Sequence, residues 1–242
     1  QNVRHLEPMG FIKFDLLGLS TVEMIEAAII NILKNKEGVE NPTIQDVRSY
    51  YDKHLHPDVM DLDDQNVWKN IFHDGKWAGI FQFTEQGAQS FCKLAKPNNI
   101  IDLAAITSIY RPGPLSANVD KQFVFAKNNP QDVDYYNEKY KEVTKETYGF
   151  LIFQEQIAML AHKLGKNLTL DEGNKLRKLL TKKGTGSAQE QKDKIWLKFR
   201  EGCSERGIPK WQAKEMWEKF EYFSGYGFNK SHAVSYCILS FQ

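Results

Sequence analysis

The chain of 242 residues has few cysteines and no long hydrophobic run, and both absences exclude whole classes of protein. Its three cysteines, Cys92, Cys203 and Cys237, are widely separated and form no CxxC pair. The sequence therefore indicates neither a disulfide framework nor a zinc site. No apolar stretch approaches the ~20 residues of a membrane span, and no signal peptide is visible. We expect a cytoplasmic protein in a reducing compartment, with no membrane partner.

Signals for a natural start and end are also missing. The chain begins at Gln1 without an initiator Met and ends at Gln242 inside an apolar-periodic segment that has no Gly or Pro stop. We interpret the chain as a fragment, or as one piece of a split protein. Its length and its 41% hydrophobic composition are sufficient for a buried core in one large domain or two small ones.

Charge is unevenly distributed, although the net charge is only +1. Residues 1–160 carry 16 basic and 22 acidic side chains, a net of −6, whereas residues 161–242 carry 16 basic and 9 acidic ones, a net of +7. The basic C-terminal third is where a polyanion is expected to bind.

The pattern of apolar residues predicts a mainly α-helical chain with one short β element. Residues 10–17 alternate as in a strand, and this places Lys13 and Asp15 on the same face. Ser20 and Glu23 then form a predicted capping box that opens a helix. Most of the chain beyond that helix has helical periodicity.

Three further helix start and stop signals divide the helical part of the chain. The run Arg111-Pro112-Gly113-Pro114 predicts an abrupt helix end. A helix is predicted over residues 150–164, closed by Gly165, and Thr169 with Glu172 forms another capping box. Considered by itself, Arg111 has a structural explanation, since a cation at a helix C-terminus is favourable.

Asp15 is the candidate metal ligand. A carboxylate on a buried strand with Lys13 on the same face suits Mg²⁺ and phosphate chemistry. A structural ion pair between the two side chains explains the same spacing and is the more frequent outcome.

A run of cations marks the basic third. Five of nine residues are basic and none is acidic: Lys175, Arg177, Lys178, Lys182 and Lys183. The run predicts either a helix that binds triphosphate or nucleic-acid backbone, or a solvated helix face.

The segment from Gly225 to His232 has the strongest chemical signal. Two glycines allow tight backbone geometry, and Asn229, Lys230, Ser231 and His232 then supply hydrogen-bond donors directly before an apolar helix. Ser231 is the predicted N-cap of that helix. Because helix N-termini attract anions, the segment predicts a phosphate or nucleotide site. A tight turn before a core helix explains the glycines alone.

Together these segments resemble a known family, the bacterial replicative DNA polymerase III alpha subunit (C-family DNA polymerases). The similar blocks occur in family order across nearly the whole chain: Lys13 to Leu19, Gly79 to Phe83, Tyr110 to Pro114, Tyr148-Gly149 with Gln154-Glu155-Gln156, Leu176 to Lys178 with Lys182-Lys183, and Phe223 to His232. Residues 84–88 and 179–181 depart from the family pattern, which indicates a divergent member, for example from a phage or a split gene.

The resemblance implies a fold and a domain boundary. Residues 1–19 correspond to the end of the palm, an α/β nucleotidyltransferase-type domain, and residues 20–242 to a fingers domain that is incomplete at its C-terminus. The implied fold class is therefore mainly α with a short β element.

The resemblance also implies an activity, which is DNA-directed DNA synthesis from dNTPs with two Mg²⁺ ions. Asp15 matches one metal-binding aspartate and Lys13 approaches a phosphate, whereas the motif that carries the other two aspartates is absent from this sequence. The implied contacts to nucleotide and DNA are Arg111, Lys175, Arg177, Lys178, Lys182, Lys183, Tyr226, Asn229, Lys230, Ser231 and His232.

The implied partners are primer–template DNA, dNTP and the remaining parts of the polymerase. Because a single carboxylate cannot assemble a two-metal site, we expect the isolated chain to be inactive. The alternative is a non-catalytic helical module of polymerase ancestry that binds nucleic acid or assembles with other proteins.

Overall fold

A computed structural model describes residues 3–12, 14, 16–180 and 186–242, and these residues are mainly helical, with 68% of the structure in helices. The prediction of a mainly α fold is confirmed. The α-helices are α1 (Val3–Leu6), α2 (Ser20–Asn35), α3 (Ile44–His54), α4 (Gln65–Val67), α5 (Gln86–Ala95), α6 (Ile100–Ile109), α7 (Pro112–Ser116), α8 (Val119–Asn128), α9 (Glu138–Thr144), α10 (Gln154–Leu164), α11 (Leu170–Leu180), α12 (Gly186–Glu205), α13 (Lys210–Ser224) and α14 (Lys230–Phe241).

The predicted strand over residues 10–17 is not seen. Gly10 lies in a turn, and the described residues after it have no regular structure. Phe14, Leu16 and Leu17 are 80%, 93% and 95% exposed, so this apolar stretch is not buried. A strand needs a neighbour for its backbone hydrogen bonds, and the described ranges contain no other strand that could pair with it.

The chain divides into two compact units, residues 1–60 and 61–242. In the smaller unit, α2 packs against α3 and buries Ile29 and Leu33. The capping box of α3, in which Thr43 and Asp46 bond each other's backbone N–H groups, fixes its first turn. The capping box predicted at Ser20 is wrong, because α2 begins at Ser20 itself and its N-cap, Leu19, has no side chain able to accept a hydrogen bond.

The larger unit contains two hydrophobic cores. The first core surrounds α6, which is buried over most of its surface, and includes Trp68, Phe72 and Phe123. The second core is formed by α9 to α13, with Leu160, Phe199 and Phe220 fully buried. All three cysteines are free and buried in these cores, and burial raises the pKa of the Cys203 and Cys237 thiols to about 12. They are packing residues, and their thiolates are not accessible at neutral pH.

A short segment before α10 contributes to both cores. Ile152 and Phe153 pack in the first core, and Leu151 packs in the second. The helix predicted over 150–164 therefore begins only at Gln154, since the preceding residues are extended and bury their side chains on opposite sides. Its predicted end is confirmed, because Gly165 is the C-cap.

Helix starts in the basic third follow the prediction in one case and depart from it in another. At α11, Thr169 and Glu172 form the predicted capping box, with Glu172 accepting from the Thr169 N–H at 2.9 Å. The prediction that Ser231 caps α14 is wrong. Asn229 is the N-cap and accepts from the His232 N–H at 2.9 Å, so the helix begins one residue earlier, at Lys230.

A buried ion pair holds α6 and α8 together. Asp102 and Lys127 are 2.9 Å apart, and their side chains are 2% and 6% exposed. The second carboxylate oxygen of Asp102 accepts from the Tyr148 hydroxyl at 3.0 Å, and the Asn98 N–H bonds the first at 3.0 Å. Lys127 is the cationic partner of this buried carboxylate, and its loss leaves the charge without compensation.

We predict that Lys127→Met destabilises the chain by about 3 kcal/mol, because Asp102 then keeps a buried charge without a counter-ion. The free energy of unfolding from urea denaturation checks this. Lys76→Met is the matched control. It removes the exposed ion pair with Asp74, whose atoms are 3.4 Å apart, and should change stability by no more than about 0.5 kcal/mol. Equal effects of the two substitutions would contradict the prediction.

Candidate functional site

Predicted site residues from three distant segments meet at the start of α10. The group consists of Arg111, Gln154, Arg177 and the loop Tyr226 to Phe228, and we call it the arginine junction. Its backbone frame is a parallel bridge between Phe153 and Phe228, in which Gln154 donates to the Phe228 carbonyl at 2.9 Å and Phe228 donates to the Ile152 carbonyl at 3.0 Å.

Arg111 joins the loop to the end of α6. Its Nε donates to the Ser108 carbonyl at 2.9 Å, and one terminal nitrogen donates to the Tyr226 carbonyl. The guanidinium also lies 4.7 Å from the centre of the Phe228 ring, a cation–π contact. The bond to Ser108 matches the structural explanation of a cation at a helix C-terminus, and the contacts to the loop add a second role. Burial lowers the pKa of Arg111, which remains protonated at neutral pH.

Gln154 connects the loop to Arg177 on α11. Its side-chain nitrogen donates to the Gly227 carbonyl at 2.8 Å, and its oxygen accepts from a terminal nitrogen of Arg177. Gly227 is required here, because a Cβ at this position would lie 2.9 Å from the Gln154 side chain. The Arg177 Nε is buried and has no hydrogen-bond partner among the described residues, so this guanidinium is only partly satisfied.

Carboxylates neutralise part of the positive charge of the loop. Lys230 is paired with Glu146 at 2.6 Å, and its backbone N–H donates to Glu155 at 3.0 Å. Glu155 also accepts from the Asn229 side chain at 3.1 Å. The first N–H of α14, which was predicted to face a phosphate, is thus bonded to a carboxylate in this structure. An incoming phosphate has to displace Glu155 or bind beside it.

The remaining loop side chains are exposed. The Tyr226 ring lies over Gly113, where a Cβ would be 2.1 Å from a ring carbon, so glycine is needed for this approach. His232 stacks on Tyr236 with ring centres 4.2 Å apart, and Ser231 donates to Asn229 at 2.7 Å. These groups form a polar and aromatic surface next to the arginine junction.

The described cations of α11 differ in their exposure to solvent. Lys175 and Lys178 are exposed, whereas Arg177 is half-buried in the arginine junction. Lys182 and Lys183 lie outside the described residues, and so do Lys13 and Asp15. The structure therefore shows the bond between Arg177 and Gln154 and leaves the role of Asp15 as a prediction.

Comparison with known proteins identifies the family. A sequence model described as the bacterial DNA polymerase III alpha subunit finger domain matches residues 21–207. The chain belongs to this family. Arg111, Gln154 and Arg177 fall within the matched range.

Curated relatives give the same result over more of the chain. It is 35% identical over 240 residues to the DNA polymerase III subunit alpha of Borreliella burgdorferi, covering 98% of this chain and 19% of that protein. It is 32% identical over 236 residues to the corresponding subunit of Aquifex aeolicus, covering 98% of this chain and 18% of that protein. The chain thus spans less than a fifth of the length of these relatives.

Sequence reasoning missed the acidic and amide side chains of this finger domain. Glu146 and Glu155 hold the loop, and Gln156 is buried with its oxygen accepting from the N–H groups of Ile152 and Phe153 at 2.8 and 2.9 Å. The run Gln154-Glu155-Gln156 directly before an apolar helix was the available signal. The run does not reveal that its side chains contact residues about 70 positions later in the chain, because those contacts exist only in the folded protein.

The finger domain has no helix long and apolar enough to cross a membrane among its described residues.

We predict that Gln154→Ala destabilises the finger domain by about 1–3 kcal/mol. The substitution removes the acceptor of Arg177 and leaves the Gly227 carbonyl without its side-chain donor. Chemical denaturation measures the loss. Gln189→Ala, which removes an exposed bond to Asp193 one turn away, is the control and should stay within about 0.5 kcal/mol of the parent. An unchanged free energy of unfolding in Gln154→Ala would show that this side chain does not hold the junction together.

Proposed function

We propose that this chain is the nucleotide- and DNA-binding fingers part of a replicative DNA polymerase that adds dNTPs to a primer 3′-hydroxyl. One observation supports this beyond family membership. The arginine junction brings Arg111, which lies between α6 and α7, and Arg177 of α11 close together. Arg111 bonds the loop directly at the Tyr226 carbonyl, whereas Arg177 is linked to the loop through Gln154. Tyr226, Asn229, Ser231 and His232 are exposed beside them. Two partly buried guanidinium groups next to aromatic and hydroxyl side chains suit a triphosphate with its sugar and base.

The chemical role proposed for these cations is electrostatic. Arg111, Arg177 and Lys230 neutralise charge on the triphosphate, while Lys175, Lys178, Lys182 and Lys183 contact DNA phosphates. Lys230 takes this role by exchanging its pairing with Glu146 for a phosphate oxygen.

The metal part of the proposal concerns the intact polymerase. Asp15 is proposed as one ligand of two Mg²⁺ ions, with Lys13 near a phosphate, and both stay predictions from the resemblance. Among the described residues no group of three or more His, Cys, Asp or Glu side chains could hold a metal ion. The described part of the chain does not fit a metal site by itself, and the chemistry argued for it is limited to binding, orientation and charge neutralisation.

We predict that Lys175→Ala makes DNA binding less dependent on salt. Each lost phosphate contact should change the slope of log K against log salt concentration by about 0.9 for duplex DNA. Fluorescence anisotropy with a labelled primer–template at several salt concentrations gives this slope. Lys34→Ala is the control, since Lys34 is an exposed lysine in the smaller unit. If both variants keep the parent slope, Lys175 does not contact the DNA backbone.

The proposed activity itself is tested by complementation. We predict no primer extension by the purified chain with Mg²⁺, and synthesis when the missing palm of a relative is supplied in trans. Asp15→Asn should abolish the restored synthesis, whereas Asp63→Asn should not. Extension by the chain alone would contradict the proposal. Failure of complementation by a palm that binds the chain would favour the non-catalytic module.

A further inference from the structure

A second concave surface of the 61–242 unit borders the arginine junction, where the ring centres of Tyr222 and Tyr226 are 5.7 Å apart. It is a groove of about 970 Å³, and we call it the acidic groove. Residues of α8, of the segment between α8 and α9, and of α13 line it, together with Tyr148 to Leu151. None of Arg111, Gln154, Arg177 or Tyr226 to Phe228 lines it, so the proposed function leaves it unexplained.

The walls of the acidic groove are apolar. Val119 and Leu151 are buried in them, and Phe150 and Phe223 are half-buried. Two aromatic side chains stand exposed on elements that line it, Phe125 at 64% and Tyr222 at 48%. Large exposed aromatic side chains on a groove with an apolar interior have the composition of protein-binding surfaces.

The charge of the groove is negative. Its lining contains the acids Asp132, Asp134, Glu215 and Glu218 and the lysines Lys121 and Lys219. Lys219 is already engaged, since it bonds the Tyr136 hydroxyl and lies 3.6 Å from Glu215. Tyr136 in turn donates to Glu215 at 2.5 Å, which fastens the segment before α9 to α13.

This charge selects the occupant. Glu218 lies 3.5 Å from Lys214, and Glu215 lies 3.6 Å from Lys219. Asp132 and Asp134 are therefore the lining acids for which the described residues show no lysine partner. A nucleic acid or a triphosphate would bring negative phosphates against these two aspartates, with Lys121 as the one lining lysine for which the described residues show no partner. A segment of protein with apolar side chains and one or two lysines or arginines matches both the walls and the acids. We propose that the acidic groove docks a basic, amphipathic peptide segment of a partner protein.

Asp132 and Asp134 are the acids that we expect to attract a positively charged peptide to the groove. Both are exposed at the edge of the groove, where they can pair with a cation of the partner without the cost of burying a charge. The apolar walls then supply most of the binding free energy, and the acids decide which amphipathic segment binds. The groove thus pairs with positive protein segments, while the arginine junction pairs with anions.

The experiment uses the purified chain and fluorescein-labelled peptides in fluorescence anisotropy. The probe is a short helical peptide with leucines on one face and lysines on the other. One comparison peptide has glutamate in place of lysine, and another has serine in place of leucine. We expect the leucine–lysine peptide to bind, and both comparison peptides to bind at least about tenfold more weakly.

Two groove variants locate the binding. Asp132→Lys combined with Asp134→Lys, and separately Phe125→Ser, should each weaken the leucine–lysine peptide by about tenfold. All three positions are exposed, so the variants should fold, and circular dichroism checks this. Asp63→Lys, an exposed acid outside the groove, is the matched control and should change affinity by less than about twofold. If the double variant Asp132→Lys, Asp134→Lys does not fold, the affinity of Phe125→Ser for the leucine–lysine peptide tests the proposal.

Three outcomes would overturn the proposal: no binding of the leucine–lysine peptide, equal binding of the glutamate peptide, or equal loss of affinity in Asp63→Lys. DNA binding measured in parallel separates this proposal from the proposed function. Lys175→Ala should weaken DNA binding without changing peptide affinity, and Phe125→Ser should do the reverse. Binding of single-stranded DNA that is lost in Phe125→Ser would assign the groove to nucleic acid and contradict the peptide.

Discussion

The extended segment before α10 is the constraint on which the larger unit depends. Leu151 packs in the second core, whereas Ile152 and Phe153 pack in the first, so the segment is held from both sides. Gln156 satisfies the N–H groups of Ile152 and Phe153 from inside the protein, and the Phe153–Phe228 bridge then carries the loop before α14. A buried backbone segment without such partners would cost several hydrogen bonds, which is why an amide and not an apolar side chain occupies position 156.

The arginine junction depends on that frame. Once the loop is held against Gln154, its carbonyls at Tyr226 and Gly227 point to Arg111 and to the Gln154 amide. The guanidinium groups are therefore positioned by backbone oxygens and an amide, and no carboxylate neutralises them within these contacts. Lys230 differs, because Glu146 pairs with its ammonium group and Glu155 accepts a hydrogen bond from its backbone N–H. The proposed binding of an anion at this site would therefore involve two arginines without a carboxylate partner in these contacts and a lysine that exchanges Glu146 for the anion.

Opposite charges are separated on the surface of the same unit. The exposed lysines of α11 face solvent in the basic third, whereas α13 and the segment before α9 give the acidic groove its carboxylates. The net charge of +1 conceals this separation. This separation underlies the two binding proposals, one for anions at the arginine junction and α11 and one for a cationic peptide in the acidic groove.

Several elements could be predicted from local sequence because short-range physics decides them. The capping box of Thr169 and Glu172 joins residues three positions apart, and Gly165 ends α10 as its position after an apolar run indicates. The strand over residues 10–17 was wrong for the opposite reason, since a strand is stabilised by a neighbour that the sequence pattern does not supply. The sequence favours Ser231 as the N-cap of α14, whereas in the structure Asn229 bonds the His232 N–H. Two candidate caps two residues apart cannot be ranked without the backbone.

The sequence by itself determined the helical class, the family and the identity of the cations in the basic third, because periodicity, ordered motif blocks and composition are all properties of the chain read in one dimension. Only the tertiary structure decided which of these cations are free to meet a ligand. Arg177 bonds Gln154, Lys230 pairs with Glu146, and Lys175 faces solvent. The partners of the first two lie 23 and 84 residues away, and such distances in sequence become contacts only when hydrophobic burial fixes the path of the chain.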